Sequence, residues 1–147
     1  AIEDVIYRTE SYDTTTIRAS IGNYLVSKYI RENSDCKVIF NGDGSDEVTC
    51  GYVYNINAPT PDDLQAESVR LLDEIYMFDV LRSDRSISSN GLEPRTPFLD
   101  KGFVDMYLSI PPEFKVFNKT DIVEKDLLRH TSIRSYPMKI LKKGLAK

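Results

Sequence analysis

The chain has 147 residues, enough for one domain with a sizeable core, and its apolar fraction of 41% and charged fraction of 29% are ordinary for a globular protein. Its net charge of −4 predicts no general attraction to nucleic acid or to an anionic membrane surface. No stretch approaches the ~20 apolar residues that span a bilayer, and no basic-then-apolar leader opens the sequence, so we expect a cytoplasmic protein.

The first predicted elements are a short apolar run and a long helix. Val5–Tyr7 could form a strand, although the run is short. Asp13 or Thr14 offers an N-cap for a helix that reaches about Asn33. The residues expected to form its buried stripe, at i, i+4 spacing, are Ile17, Ile21, Leu25 and Tyr29.

The amino end of this helix carries the sequence T-T-I-R-A-S at residues 15–20. Thr15, Thr16 and Arg18 place two hydroxyls and a guanidinium near unpaired backbone N–H groups, a combination suited to holding a carboxylate or a phosphate. Without further information, a capped helix with an exposed arginine is the simpler interpretation.

The stretch from Cys36 to Tyr54 is the most informative part of the sequence. Lys37–Phe40 is a short apolar run without alternation, which predicts a strand buried on both faces, as in a parallel sheet. The small and acidic residues 41–45 follow, and their two glycines allow positive φ and the close approach of a ligand. Ser45 is the predicted N-cap of the next helix, which has an acidic first turn. A ligand-binding loop and an ordinary strand-to-helix turn both fit this pattern.

A further long helix is predicted after residue 60. Thr60 and Pro61 have the chemistry of an N-cap and a first helical residue, and the helix should reach about Arg82. Tyr76–Phe78 are interpreted as core residues rather than as an aromatic box for a ligand. The other residues of its apolar face are Leu64, Leu71, Leu72, Ile75 and Leu81.

The segment from residue 83 to residue 100 is predicted to be a long, irregular yet ordered loop. Its charges have two interpretations: an ion-pair network that ties the loop to the following helix, or a substrate pocket in which a guanidinium pairs with a carboxylate and Glu93 accepts from an amine. The network is favoured for Arg95 and Asp100, with Asp100 as an N-cap. For Arg85 and Glu93 both interpretations stay open.

The last predicted elements are two helices and a basic end. Lys101–Ser109 should form a helix that ends before Pro111 and Pro112. Asn118–Thr120 can cap another helix to about His130. Its inward-facing residues are expected to be Val123, Leu127 and Leu128, and the basic end holds Lys139, Lys142, Lys143 and Lys147.

Three blocks of the sequence resemble the synthetase domain of glutamine-dependent asparagine synthetases. Residues 41–54 contain N-G-D-G-S-D-E and G-Y-V-Y, similar to the family's S-G-E-G-S-D-E-x-x-x-G-Y. Residues 84–100 are similar to its D/N-[KR]-x-x-S-x-x-G-x-E-x-R-x-P-F-L-D, and residues 15–20 to its T-T-I-R-A-S. The resemblance implies an α/β fold: residues 1–147 would be a fragment of an adenine-nucleotide α-hydrolase-like (pyrophosphatase-loop ATPase) domain, with parallel strands and mostly helices.

The family activates aspartate with ATP and Mg²⁺ as an aspartyl-adenylate, which ammonia released from glutamine then converts to asparagine. The resemblance implies that Asn41, Gly42 and Asp43 contact the adenosine part of ATP, and that Asp46 lies near Mg²⁺ and the pyrophosphate. Arg85 and Glu93 would face the aspartate and the adenylate as catalytic residues. The expected nucleotide loop is Asn41, Gly42, Asp43, Gly44, Ser45 and Asp46, and the residues tied to substrate binding are Thr15, Thr16 and Arg18.

The sequence also departs from the family's pattern. The S-G-G-x-D-S phosphate-binding loop and the amidase domain are absent from these residues, so the resemblance implies a fragment that should not make asparagine alone. Asn41 replaces Ser, Asp43 replaces Glu, and Lys142 or Lys143 aligns only loosely with the family's pyrophosphate-binding lysine. Two alternatives stay open: a degenerate nucleotide-binding or scaffold module without turnover, and a relative that forms an amide or lactam from another acid.

Overall fold

The computed structural model of the chain describes residues 1–118 and 122–135, and for residues 131–135 the backbone alone. The helices in these ranges are α1 (Ile2–Thr9), α2 (Thr14–Asn33), α3 (Ser45–Thr49), α4 (Pro61–Glu74), α5 (Asp79–Ser88), α6 (Lys101–Ser109) and α7 (Asp126–Ser135), and the strands are β1 (Val38–Phe40) and β2 (Glu93–Arg95). Short 3₁₀ helices cover Val53–Asn57, Ile75–Met77, Pro97–Leu99 and Pro112–Phe114. The described part is therefore mostly helical, and no helix in it is long and apolar enough to cross a membrane.

The two strands form a parallel pair, which confirms the predicted strand orientation. Ile39 lies opposite Pro94, and the Asn41 N–H donates to the Arg95 C=O at 2.9 Å. The prediction that β1 is buried on both faces is wrong, because the side chains of Val38 and Phe40 are 45% and 77% exposed. The reason is that β2 is the one strand beside β1 in the described residues, and nothing there covers the Val38 and Phe40 side of the pair.

The residues predicted as an early strand lie in helix α1 instead. Val5 and Thr9 are buried one turn apart, and the Thr9 hydroxyl donates to the Val5 C=O at 2.7 Å. Val5 packs with Ile17 and Tyr24 in a small apolar cluster between α1 and α2, and the partly buried Ile21 borders it. An amphipathic helix can bury that pair of residues on one face, whereas a three-residue strand without a neighbour cannot.

Helix α2 begins and ends as predicted, but it buries a different face. The Thr16 N–H donates to Asp13 Oδ2 at 2.8 Å, so Asp13 is the N-cap. Leu25 and Tyr29, expected in the buried stripe, are exposed. The buried residues of α2 are Ile17, Ser20, Tyr24 and Ser27, and the small serines allow α1 and α5 to pack against this face.

The predicted long helix after residue 60 is divided into two. Thr60 caps α4 as expected, through a 3.1 Å bond from the Asp63 N–H. Phe78 has a non-helical backbone, with φ −117° and ψ −96°, and α5 begins directly after it. The first part of the predicted loop over residues 83–100 is therefore helical and its middle is β2. Tyr76, Met77 and Phe78 are all exposed in this break, so the prediction that they are core residues is wrong.

Only some of the predictions for residues 100–147 concern residues that the structure describes. Asp100 caps α6 as expected, with the Phe103 N–H donating to its Oδ1 at 3.0 Å. The final described helix begins at Asp126, later than the cap predicted at Asn118–Thr120, and residues 119–121 lie outside the described ranges. Lys139, Lys142, Lys143 and Lys147, including both loosely aligned pyrophosphate candidates, also lie outside them.

Candidate functional site

The loop that leaves β1 is built around the side chain of Asn41. Its Oδ1 accepts from the Asp43 N–H at 3.1 Å, and its Nδ2 donates to Asp43 Oδ2 at 2.9 Å. The same Nδ2 donates to Ser83 Oγ in α5 at 2.9 Å. A local Asx turn and one long-range bond therefore hold this loop before any ligand binds.

Gly44 joins the loop to helix α3. It has φ +83°, and a Cβ there would lie 2.2 Å from Leu99 Cδ2, so both the backbone conformation and the packing require glycine. Gly44 is the N-cap of α3 and Ser45 is its first residue, which corrects the predicted cap by one position. In contrast, a Cβ on Gly42 would meet no atom within 4 Å, so the backbone there is open to close approach.

The two acidic residues of α3 have opposite environments. Asp46 is partly exposed, whereas Glu47 is 4% exposed and accepts a hydrogen bond from the Tyr52 hydroxyl. The Tyr52 ring stacks on Tyr54 with centroids 5.5 Å apart. Burial, and then the hydrogen bond to Glu47, raise the pKa of Tyr52 well above its ordinary value. Glu47 thus anchors α3, and Asp46 is the carboxylate left to meet a ligand.

Lys125 meets Asp46 from a distant part of the chain. Its Nζ lies 2.9 Å from Asp46 Oδ1 and donates to Ser45 Oγ at 3.1 Å. The sequence interpretation did not single out this residue, and no local spacing signal could have found it, because its partners lie in α3, far back along the chain. The candidate site therefore combines residues 41–46 with Lys125.

Thr15, Thr16 and Arg18 lie in the first turn of α2. Thr15 and Arg18 are exposed, and the Thr16 N–H is already occupied by Asp13. That bond is also the main reason why the pKa of Asp13 is lowered. Among the described residues, no hydrogen bond joins these three side chains to the 41–46 loop.

Arg85 and Glu93 lie on different elements and do not pair with each other. Arg85 Nη1 donates to the Thr9 C=O at 2.6 Å and lies 3.8 Å from Glu10 Oε2. Glu93 pairs with Arg95 at 2.6 Å, and both side chains are more than half exposed. Arg85 thus ties α5 to the end of α1, while Glu93 is the first residue of β2.

The 41–46 loop holds two carboxylates, Asp43, whose Oδ2 accepts from Asn41, and the partly exposed Asp46. No group of three or more His, Cys, Asp or Glu side chains that could hold a metal occurs in the described residues. Mg²⁺ is commonly held by one or two carboxylates together with substrate phosphates and water. Asp46 fits that pattern if a polyphosphate supplies the remaining oxygens.

Comparison with known proteins identifies a family. The model of the asparagine synthase family matches residues 1–60 and 55–144. Over 131 residues the chain is 54% identical to the asparagine synthetase (glutamine-hydrolyzing) of Rattus norvegicus, 55% to that of Mesocricetus auratus and 54% to that of Homo sapiens. Each match covers 89% of this chain but 23% of the relative, so the chain spans less than a quarter of the length of these proteins.

Proposed function

The chain belongs to the asparagine synthase family, and we propose that it is part of an ATP-dependent asparagine synthetase, which activates aspartate as an aspartyl-adenylate and amidates it with ammonia from glutamine. The observation that carries the proposal is the preformed 41–46 loop at the carboxyl end of a parallel strand. Ligands of open α/β sheets bind in this position. The names of the relatives, asparagine synthetases that hydrolyse glutamine, support the reaction.

We assign the adenosine part of ATP to Asn41, Gly42 and Asp43. The open space beside Gly42 supports this assignment, since a nucleotide could contact the backbone there. The Asn41–Asp43 turn supports it too, because a loop held by its own hydrogen bonds loses little entropy on binding.

Asp46 is the proposed ligand of Mg²⁺, which would neutralise charge on the phosphates of ATP when bound. The partial exposure of Asp46 supports this role, as does the preference of a hard cation for carboxylate and phosphate oxygens. Gly44 and Ser45 complete the nucleotide loop by setting the direction in which α3 leaves it.

The remaining proposed residues would handle the acid substrate. Thr15, Thr16 and Arg18 offer exposed or half-exposed donors for a carboxylate. Arg85 and Glu93 would act on aspartate and the adenylate, and Arg85 must first exchange its present contact with the Thr9 C=O. None of these residues acts as a nucleophile in this proposal, so catalysis rests on positioning and on neutralisation of charge.

We also propose that the fold is part of an adenine-nucleotide α-hydrolase-like sheet. The bonds that β1 makes to β2 use the Lys37 C=O and the Asn41 N–H. By the alternation of a parallel strand, the N–H and C=O groups of Val38 and Phe40 point to the other edge, where a further strand would pair. Their exposed apolar side chains lie on a face of the pair, where a parallel sheet of this kind carries a covering helix.

The test is titration calorimetry of the folded chain with AMP. We expect AMP to bind, and Asp43→Ala to weaken it about ten-fold through loss of one charged hydrogen-bond acceptor. Asp62→Ala, which removes an exposed carboxylate from α4, is the matched control and should bind AMP as the wild type does. A folded chain that binds no AMP, or equal affinity in the Asp43→Ala variant, would contradict the assignment.

A further inference from the structure

The hydroxyl of Ser83 lies where helix α5 meets both helix α2 and the 41–46 loop. Ser83 is 3% exposed, and its Oγ accepts from Asn41 Nδ2 at 2.9 Å and from Asn23 Nδ2 in α2 at 3.4 Å. A hydroxyl oxygen has two lone pairs, so the two carboxamides occupy both of them. A buried acceptor of this kind has no ready substitute in the solvent, and its loss leaves Asn41 with one bond fewer.

The packing of α5 fixes the position of this hydroxyl. Ser83, Ser86 and Ile87 are the buried residues of α5, and the helix packs against α2. Directly after α5, Asn90 Nδ2 donates to the Tyr24 C=O of α2 at 3.3 Å. Close-packed small side chains leave little room for movement, so α5 presents the Ser83 hydroxyl at a fixed point beside the loop.

The bond from Asn41 to Ser83 ties a local turn to this helical scaffold. The other bonds of the Asn41 carboxamide both go to Asp43, two residues later, and such a turn is held only within itself. Asn41 also stands where the family's pattern has Ser, whose side chain ends one bond earlier. The tie to Ser83 therefore belongs to the asparagine of this chain.

We propose that Ser83 is a positioning residue of the adenosine site: its buried hydroxyl holds the Asn41 carboxamide, and through it the Asp43 carboxylate, in the orientation that binds the ligand. The inference rests on the proposed function, because Ser83 acts through residues assigned to adenosine there. A group that is held before binding loses less entropy when the ligand arrives. Asn23 contributes less, because its 3.4 Å bond is longer than the usual range.

The test is calorimetric titration of the 147-residue chain with AMP. Ser83→Ala should weaken AMP binding about fivefold, the effect of one neutral hydrogen bond. Ser83→Cys should weaken it to a similar extent, because a thiol fills the space but accepts only weakly. Ser86→Ala is the matched control: it removes another buried hydroxyl of α5, whose bond goes to the Ser83 C=O within the helix, and it should leave the affinity unchanged.

A double-mutant cycle shows whether Ser83 acts through Asn41. Asn41→Ser can keep the local turn, since a serine hydroxyl also accepts from the N–H two residues later, but it removes the bond to Ser83. In that background Ser83→Ala should leave AMP affinity unchanged, whereas a merely structural role would lower the affinity by the same factor in both backgrounds. Equal affinities of wild type and Ser83→Ala, or equal losses in the two backgrounds, would overturn the proposal.

The free chain gives a second measurement that needs no nucleotide. Exchange of the Asn41 side-chain amide protons with water, followed by NMR, should be about threefold faster in Ser83→Ala, because opening then breaks one hydrogen bond fewer. An unchanged rate would also overturn the proposal. Faster exchange in a chain that binds no AMP would overturn the proposed function, and with it the role of Ser83 in binding. AMP binding that Asp43→Ala weakens and Ser83→Ala does not would overturn this inference alone.

Discussion

Replacement of Gly44 by alanine should destabilise the chain by about 3 kcal/mol. A non-glycine residue at φ +83° carries a penalty of roughly 1–2 kcal/mol in the left-handed region. The added Cβ would also lie 2.2 Å from Leu99 Cδ2 and 2.5 Å from its Cγ, so Leu99 must move. Overpacking of this kind costs roughly 1–3 kcal/mol. The two effects add because one arises in the backbone and the other in side-chain packing.

Gly42→Ala is the matched control for this prediction. Gly42 lies two residues earlier in the same loop, its φ is not positive, and its Cβ would meet no atom within 4 Å. Its replacement should leave stability unchanged or raise it by about 0.4–1 kcal/mol, because alanine restricts the unfolded chain.

Urea denaturation followed by far-ultraviolet circular dichroism measures both free energies of unfolding, with m-values compared to check two-state behaviour. The chain has no Trp, so tryptophan fluorescence offers no substitute. Free energies for the two variants within about 1 kcal/mol of each other would refute the packing of Gly44 against Leu99, since that difference lies well below the expected gap.

Two further predictions concern a helix cap and a tyrosine. Asp100→Ala should lower the free energy of unfolding by about 1 kcal/mol, because the Phe103 N–H loses its cap. Urea denaturation of Asp105→Ala, which removes an exposed carboxylate of α6, should give a smaller loss of free energy. Equal losses for the two variants would contradict the cap. Burial, followed by a hydrogen bond to Glu67, raises the pKa of Tyr54 to about 12 from 10.0. The unfolded chain therefore loses its proton first, and this contribution to stability is present below pH 10 and is lost as the pH rises towards 12. Tyr54→Phe should show a shallower fall in unfolding free energy over that range, and an unchanged slope would refute the shift.

The starts of α2, α4 and α6 could be predicted because their causes are local. Asp13, Thr60 and Asp100 were each predicted as N-caps, and each accepts a hydrogen bond from an N–H three residues later. The side-chain oxygen and the backbone group that it satisfies belong to the same turn, so residue identity and spacing suffice. The loop over residues 41–46 was found for a similar reason, since its Asx turn joins Asn41 to Asp43.

Which face of a helix is buried, and where a helix breaks, could not be predicted in the same way. The i, i+4 pattern in α2 was real, yet packing against α1 and α5 buries Ser20 and Ser27 and leaves Leu25 exposed. Likewise, the apolar pattern after residue 60 continued past Phe78, where the backbone departs from the helix. Hydrophobic periodicity reports which residues favour burial, but the neighbouring elements decide which of them are covered.

The sequence by itself determined the family, the N-caps of α2, α4 and α6, and the loop that carries the candidate site, because each depends on residues that lie close together in the chain. The tertiary structure alone decided that Lys125 meets Asp46 and that Arg85 contacts the Thr9 C=O. The roles proposed for Arg85 and Glu93 stay predictions. Contacts between distant charges depend on how whole helices pack, and no local spacing in the sequence specifies that packing.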